Sequence, residues 1–247
     1  MSVYAELAGP VATIYIDNPG KRNAMTAAMW RSVPGILDGL RRDAAVRAVV
    51  LTGAGSTFCA GADISDLATI GAETASGNLA VAAEEALAAF PKPVVAAIAG
   101  DCIGGGCQLA LACDLRIATP AARFGITPAR LGVIYPQTSI QRLARVAGLS
   151  AAQYLLLTGD IVAAPAALSL GLVHEVAEDV PSRVAGLADM LASRSLLSQV
   201  AMKEMLAGPV SGTRAEHWMA AVRDSGEAAE GAAAFLARRP PQFPWRL

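Results

Sequence analysis

Short apolar stretches alternate with amphipathic ones along most of the chain, and from Ala151 onward the amphipathic kind dominates. Val11 to Asp17 alternates apolar and polar positions, which predicts a half-buried strand, and Asn18-Pro19-Gly20 ends it in a turn. Thr26 is placed to cap an amphipathic helix that reaches about Asp43, with Pro34 and Gly35 expected to kink or shorten it. Val46 to Thr52 and Val94 to Ala99 are continuous apolar runs, the pattern of buried strands. Between them Glu73 to Phe90 repeats Ala and Leu at helical spacing until Pro91 stops it. Asp114 to Ala118 reads as another strand. Gln141 to Arg145 falls in a helix that Pro136 can open at its first position. In the helical remainder, Leu172 to Val176 is a short strand. Strands alternating with helices, then a run of helices, predict an α/β fold with a helical tail. No linker composition interrupts the chain.

Composition sharpens this picture in one respect. Only 17% of the 247 residues are charged, against roughly 25% in an average soluble protein, and the mean hydropathy is +0.43. So little polar surface predicts an oligomer that buries part of it. A net charge of −1 gives no electrostatic reason to expect nucleic acid or an anionic membrane as partner. No apolar run approaches the ~20 residues of a membrane span, and Met1 to Pro10 lacks a basic stretch followed by an apolar core. A cytoplasmic protein is expected. The cysteines Cys59, Cys102, Cys107 and Cys113 form no C-x-x-C pair, and the histidines are His174 and His217 alone. Buried thiols acting as small hydrophobes are expected, with no metal site.

The chemistry concentrates in Ala97 to Asp114. An apolar strand enters Gly100, the triplet Gly104-Gly105-Gly106 follows, and a helical pattern runs from Cys107 to Ala112. Glycines between a strand and a helix permit positive φ and close approach of a ligand. They leave backbone N–H groups at a helix N-terminus, donors for an anion or a developing oxyanion. A tight turn without chemistry fits the same residues. A phosphate loop does not, because no Lys-Ser/Thr follows the glycines. Lys21 and Arg22, after the first turn, read either as a solvated loop or as anion contacts.

A second stretch, Phe58-Cys59-Ala60-Gly61-Ala62-Asp63-Ile64, follows the strand ending at Thr52. Together the two stretches resemble the signature of the crotonase superfamily, the enoyl-CoA hydratase/isomerase family. The resemblance continues through Asn18-Pro-Gly-Lys-Arg-Asn-Ala-Met25, Lys92-Pro93-Val94, Leu157-Thr158-Gly159-Asp160, Gly171-Leu172-Val173 and Phe235-Leu-Ala-Arg-Arg239. It implies a spiral of ββα units over residues 1–184 and a helical oligomerisation region over 185–247, assembled as a homotrimer or homohexamer. It implies an acyl-CoA thioester as ligand, with no cofactor beyond the CoA moiety. The thioester oxyanion would be held by the N–H groups of Ala62 and Gly105. CoA contacts would come from Lys21, Arg22, Ala24, Ala60, Asp63 and Ile64, and from Phe235 and Arg238 of a neighbouring subunit. Asp63 fits a turn-forming role equally well.

The acid/base positions depart from the family pattern. The two hydratase glutamates fall on Gln108 and Pro128, and a position used elsewhere for aspartate falls on Pro136. None of these side chains exchanges a proton near neutral pH. Tyr135 stands in a loop, Thr127 to Pro136, that resembles the corresponding loop of methylmalonyl-CoA decarboxylase; a core aromatic fits it as well. Three functions follow from the resemblance: a lyase or isomerase that hydrates poorly, with Gln108 and Tyr135 as polar assistants; a decarboxylase using Tyr135; and a non-catalytic acyl-CoA carrier. Glu84, Glu85 and Asp66 are the carboxylates expected to flank the acyl pocket.

Overall fold

Val11–Asp17 is a strand, as its alternation predicts, and its buried residues Ala12, Ile14 and Ile16 face the core. The computed structural model describes residues 1–71 and 78–247, so residues 73–77 of the helix expected over Glu73 to Phe90 lie outside the described residues. In chain order the elements begin with β1 (Ser2–Ala8), β2 (Val11–Asp17), α1 (Ala27–Arg42), β3 (Ala48–Gly53), α2 (Leu67–Gly71) and α3 (Leu79–Ala88). Next come β4 (Val94–Ile98), β5 (Asp101–Ile103), α4 (Gly105–Ala112), β6 (Leu115–Ala118), β7 (Arg123–Gly125), α5 (Pro128–Leu131), α6 (Gln137–Ala147) and α7 (Leu149–Thr158). The chain ends with β8 (Ile161–Ala163), α8 (Ala164–Ser169), β9 (Glu175–Val176), α9 (Val180–Ser193), α10 (Leu196–Ala207), α11 (Gly212–Ser225) and α12 (Glu227–Leu236).

The strands form two sheets. One has the order β1-β2-β3-β4-β6-β9, and the other is β5-β7-β8. β1 runs antiparallel to β2, and every later pairing in the large sheet is parallel. After β4 the chain turns at Gly100, with φ of +57°, and continues as β5 in the second sheet; β6 and β7 repeat the move. Bridges between Cys59 and Cys102 and between Met25 and Ala62 extend the second layer toward the N-terminus. This repeated strand-strand-helix step is the expected spiral of ββα units.

Several boundaries differ from the sequence expectation. β1 was not anticipated; only Val3 in it is buried, so it carries almost no periodic signal. The turn from β4 to the glycines contains β5, and the helix after them starts at Gly105 rather than Cys107. The strand expected over Leu172 to Val176 shortens to Glu175–Val176, because Leu172 and Val173 are buried without pairing. Pro136 sits at the N-cap of α6, one position before the helix proper.

Thr26 caps α1 as expected, its hydroxyl accepting from the Met29 N–H at 3.3 Å. Pro34 does not shorten that helix, which runs on to Arg42. The lost backbone bond is offset by the buried face of Met29, Trp30, Val33, Leu37 and Leu40. Its far end is held by Lys92, fully buried, whose Nζ donates to the carbonyls of Leu40 at 3.0 Å and Asp43 at 2.7 Å. A buried ammonium here satisfies helix C-terminal carbonyls that would otherwise lack partners.

The main core lies between the large sheet and helices α1, α3, α4, α6 and α7. A second cluster packs α9 on the opposite face, where Val180, Val184 and Ala188 meet Val50, Val95 and Ile117. A third cluster, separate from both, joins Leu196, Leu197 and Val200 to Trp218. The four cysteines are free and buried, as small hydrophobes, and burial pushes the thiols of Cys59 and Cys113 up to about 12. Among the described residues no helix is long and apolar enough to cross a membrane.

Candidate active site

The site is built where the second layer meets the start of α4. Residues Gly61 to Asp63 run beside Met25, with the Met25 N–H donating to the Gly61 carbonyl at 2.8 Å and the Asp63 N–H to the Met25 carbonyl at 2.8 Å. Alternation along an extended chain then turns the Ala62 N–H the other way, toward Gly105. The Gly105 N–H belongs to the first turn of a helix and has no partner within it. Neither nitrogen donates to any group among the described residues. A Cβ on Gly105 would lie 3.8 Å from the Ala62 nitrogen, so the two donors are close neighbours.

Glycine is required at this junction for two different reasons. Gly104 has φ of +57°, a left-handed conformation that precedes the helix. Gly106 has no room for a side chain, since a Cβ there would come 2.4 Å from the Cys59 carbonyl oxygen. Both conditions bring the N-terminus of α4 down onto the Cys59–Ala62 segment.

A cavity of about 1040 Å³ opens over these two donors. It is lined by Ala62, Gly105, Gln108 and Tyr135, and by Lys21, Arg22, Ala24, Ala60, Asp63 and Ile64. Those ten of the sequence-derived site residues therefore come together. Phe235 and Arg238 do not line the cavity; both are exposed, on or just after α12.

The individual environments differ. Gln108 is 1% exposed, and among the described residues neither its amide nitrogen nor its oxygen has a hydrogen-bond partner. An unsatisfied buried carboxamide in a cavity wall is suited to a polar ligand group. Tyr135 has its hydroxyl 3.3 Å from where a Cβ would stand on Gly104, the residue that precedes Gly105. Burial raises its pKa, so the phenol stays protonated and donates without titrating. Pro128 opens α5 and is buried, while Pro136 lines the cavity. Asp63 adopts the turn-forming role: its Oδ1 accepts from the N–H and hydroxyl of Ser65, and its Oδ2 from Lys21 Nζ at 2.6 Å. The Lys21 and Ser65 hydrogen bonds hold its carboxyl down at about 2. Arg22 pairs with Asp101 at 2.9 Å, and its carbonyl accepts the Ala60 N–H. The loop from Lys21 to Ala24 is thereby tied to the Ala60–Asp63 segment along the cavity rim.

Of the three flanking carboxylates, one enters the cavity. Asp66 caps α1, accepting the Ala27 N–H at 2.9 Å, and Glu85 pairs with Arg142 near the surface. Glu84 is 3% exposed and lines the cavity together with Ser139. Trp30, not singled out by the sequence, also lines it, and among the described residues its indole N–H has no partner. The helical apolar stripe of α1 conceals that contact, because a tryptophan there has the same spacing whether it faces core or cavity.

The comparisons with known proteins concern the chain as a whole. Residues 6–245 match the family model described as enoyl-CoA hydratase/isomerase. A short-chain-enoyl-CoA hydratase of Clostridium acetobutylicum is 36% identical over 196 residues, covering 78% of this chain and 74% of that protein. A crystal structure described as an enoyl-CoA hydratase/isomerase family member superposes with a TM-score of 0.95 at 40% identity, covering 100% of this chain and 97% of the other. An enoyl-CoA hydratase/carnithine racemase structure from Magnetospirillum magneticum gives 0.91 at 33% identity, covering 98% and 95%. With a family model that matches residues 6–245, the glycine junction and its paired donors included, the chain belongs to the enoyl-CoA hydratase/isomerase family.

Proposed function

We propose that the protein binds an acyl-CoA thioester with the carbonyl oxygen between the Ala62 and Gly105 N–H groups, and acts on it as a lyase or isomerase through an enolate formed there. The observation that carries this reading is the pair of adjacent, unpartnered backbone donors at the cavity wall. Preorganised donors of this kind stabilise charge as it develops on the oxygen, without reorganisation at the moment of reaction. The substrate class is supported by the family, enoyl-CoA hydratase/isomerase, and by its short-chain-enoyl-CoA hydratase relative. Lys21, Arg22, Ala24, Ala60, Asp63 and Ile64 at the cavity rim are the proposed CoA contacts. Phe235 and Arg238 would serve a neighbouring subunit's ligand in a homotrimer or homohexamer. No cofactor beyond the CoA moiety is proposed.

Hydration of a double bond is proposed to be weak. It requires one group to activate water and another to protonate carbon, and Gln108 and Pro128 supply neither. Calorimetry against a panel of acyl-CoAs, followed by mass spectrometry of products, tests the reading. Binding with turnover of an enolisable acyl-CoA is expected. Binding without turnover of any member would make the protein a carrier, and no binding at millimolar concentration would remove the thioester assignment. In the hydration assay, crotonyl-CoA turnover is expected to lie orders of magnitude below the ~10 s⁻¹ median of enzymes.

A further inference from the structure

We propose that Glu84 is the residue that exchanges a proton with the carbon beside the thioester carbonyl, at a position other than Gln108, Pro128 and Pro136, on which the acid/base positions of the resemblance fall. The proposal rests on the oxyanion-hole reading above. Glu84 sits on α3, buried, and lines the same cavity as Ala62, Gly105, Gln108 and Tyr135. Its Oε2 is fixed from α6: the Ser139 hydroxyl donates to it at 2.6 Å and Arg142 Nη1 at 3.1 Å. Among the described residues Oε1 has no hydrogen-bond partner. One oxygen is thus anchored, and the other is left for a proton.

A simple structural ion pair would be arranged differently. Arg142 divides its guanidinium between Glu84 and Glu85, reaching Glu85 Oε1 at 2.6 Å, so two carboxylates share one cation. Among the described residues, the other helices packed against α3 supply no further charge. α1 buries no titratable side chain, α2 contains none, and α4 brings Gln108 and Cys107. The Tyr135 phenol, on the loop before α6, is neutral. Burial therefore dominates and raises the Glu84 carboxyl to about 7, with Ser139 and Arg142 lowering it and Glu85 raising it. A general base is most effective when its pKa lies near the working pH.

The step balances within the protein and the thioester. Carboxylate Oε1 takes the α-proton, and the C–H electron pair becomes a double bond between Cα and the carbonyl carbon. The carbonyl π pair moves to the oxygen, where the Ala62 and Gly105 N–H groups hold it. Return of the proton to Cα regenerates the thioester and the carboxylate. Return to the γ-carbon of an unsaturated chain leaves a shifted double bond. One group performs both transfers, whereas hydration needs a second group, which neither Gln108 nor Pro128 provides.

The test uses the full-length protein and butyryl-CoA in deuterium oxide, with mass spectrometry reading deuterium at Cα. The wild-type protein is expected to bind butyryl-CoA and to exchange its α-protons, at a rate that rises with pH about a midpoint near 7. Glu84→Gln keeps an oxygen for Ser139 and Arg142 and is expected to lose roughly 10²–10⁴ in exchange rate with affinity retained. Exchange unchanged in Glu84→Gln would overturn the proposal, and so would binding without exchange in the wild type. Absence of binding would instead overturn the thioester reading on which it rests. Should Glu84→Gln fail to fold, Ser139→Ala decides. Loss of a hydrogen bond to the charged form raises the carboxyl pKa, so the exchange midpoint moves to higher pH; an unmoved midpoint would overturn the assignment.

Discussion

The six-membered ring of Trp30 lies against the backbone of Gly105, so that a Cβ on Gly105 would stand 2.9 Å from Trp30 Cζ2. Trp30 is fully buried, and its ring cannot swing aside into solvent. The indole therefore fixes the position of the first N–H of α4.

Gly105→Ala is expected to displace either the indole or the start of the helix, moving a donor away from the oxyanion. A loss of roughly 10²–10³ in turnover is the usual consequence of removing one such donor. Adding Trp30→Phe, which removes the colliding ring edge, is expected to recover part of that loss. The two changes touch each other and should be strongly non-additive. A double-mutant cycle on steady-state turnover checks this; simple additivity would separate Trp30 from the oxyanion hole.

Gln108→Glu supplies one of the two carboxylates that the resemblance implies but not its partner, because Pro128 has no side-chain donor or acceptor. The new carboxyl would replace an amide that has no hydrogen-bond partner among the described residues, so burial would favour its neutral form. A gain below roughly tenfold in crotonyl-CoA hydration is expected, against 10²–10⁴ for a fully placed acid/base group. A larger gain, read in the steady-state hydration assay, would mean that one carboxylate suffices in this cavity.

Lys92→Met removes the ammonium from the carbonyls of Leu40 and Asp43 and leaves them without that donor. The expected cost is about 3 kcal/mol, the scale of a charged hydrogen bond lost from buried groups. The urea midpoint reads it, and an unchanged midpoint would show that water replaces the lysine at the end of α1.

Phe235 and Leu236 are 83% and 82% exposed at the end of α12, next to each other on an otherwise folded helix. Apolar side chains placed in this way suit a contact with another copy of the chain. Phe235→Asp is expected to lower the mass that light scattering finds for the proposed homotrimer or homohexamer, and an unaltered mass would mean that the contact lies elsewhere or that no such assembly forms.

The sequence made the paired backbone donors legible, because glycines between a strand and a helix announce both positive φ at Gly104 and the orphan N–H of Gly105. The long strands β2, β3 and β4 were equally readable, since each carries its own apolar pattern. The second sheet was not. β5, β7 and β8 are short and gain their stability from partners far along the chain, a relation that no local window contains. Glu84 was readable only as one of three carboxylates near the pocket. What distinguishes it comes from Ser139 and Arg142, 55 and 58 residues further on. Asp66 and Glu85 look alike in sequence, and their partners, an N–H of α1 and a surface-facing arginine nitrogen, remove them from the cavity.

The same carboxyl predicts a pH-dependent stability. Burial raises Glu84 from 4.5 to about 7 in the folded protein. The folded state therefore binds this proton more tightly than the unfolded chain. Its favourable contribution is complete below about 4.5 and disappears as pH rises through about 7. Above that, the folded protein carries a desolvated charge that costs roughly 3 kcal/mol relative to the neutral form, at 1.36 kcal/mol for each unit of the shift. Glu84→Gln has no proton to lose. Its unfolding free energy relative to wild type should be nearly constant below pH 4.5 and rise by about that amount between pH 5 and 8. Urea unfolding at a series of pH values measures the difference directly. A difference that stays flat across the window would mean that the carboxyl is already ionised at pH 5, with Arg142 and Ser139 outweighing burial.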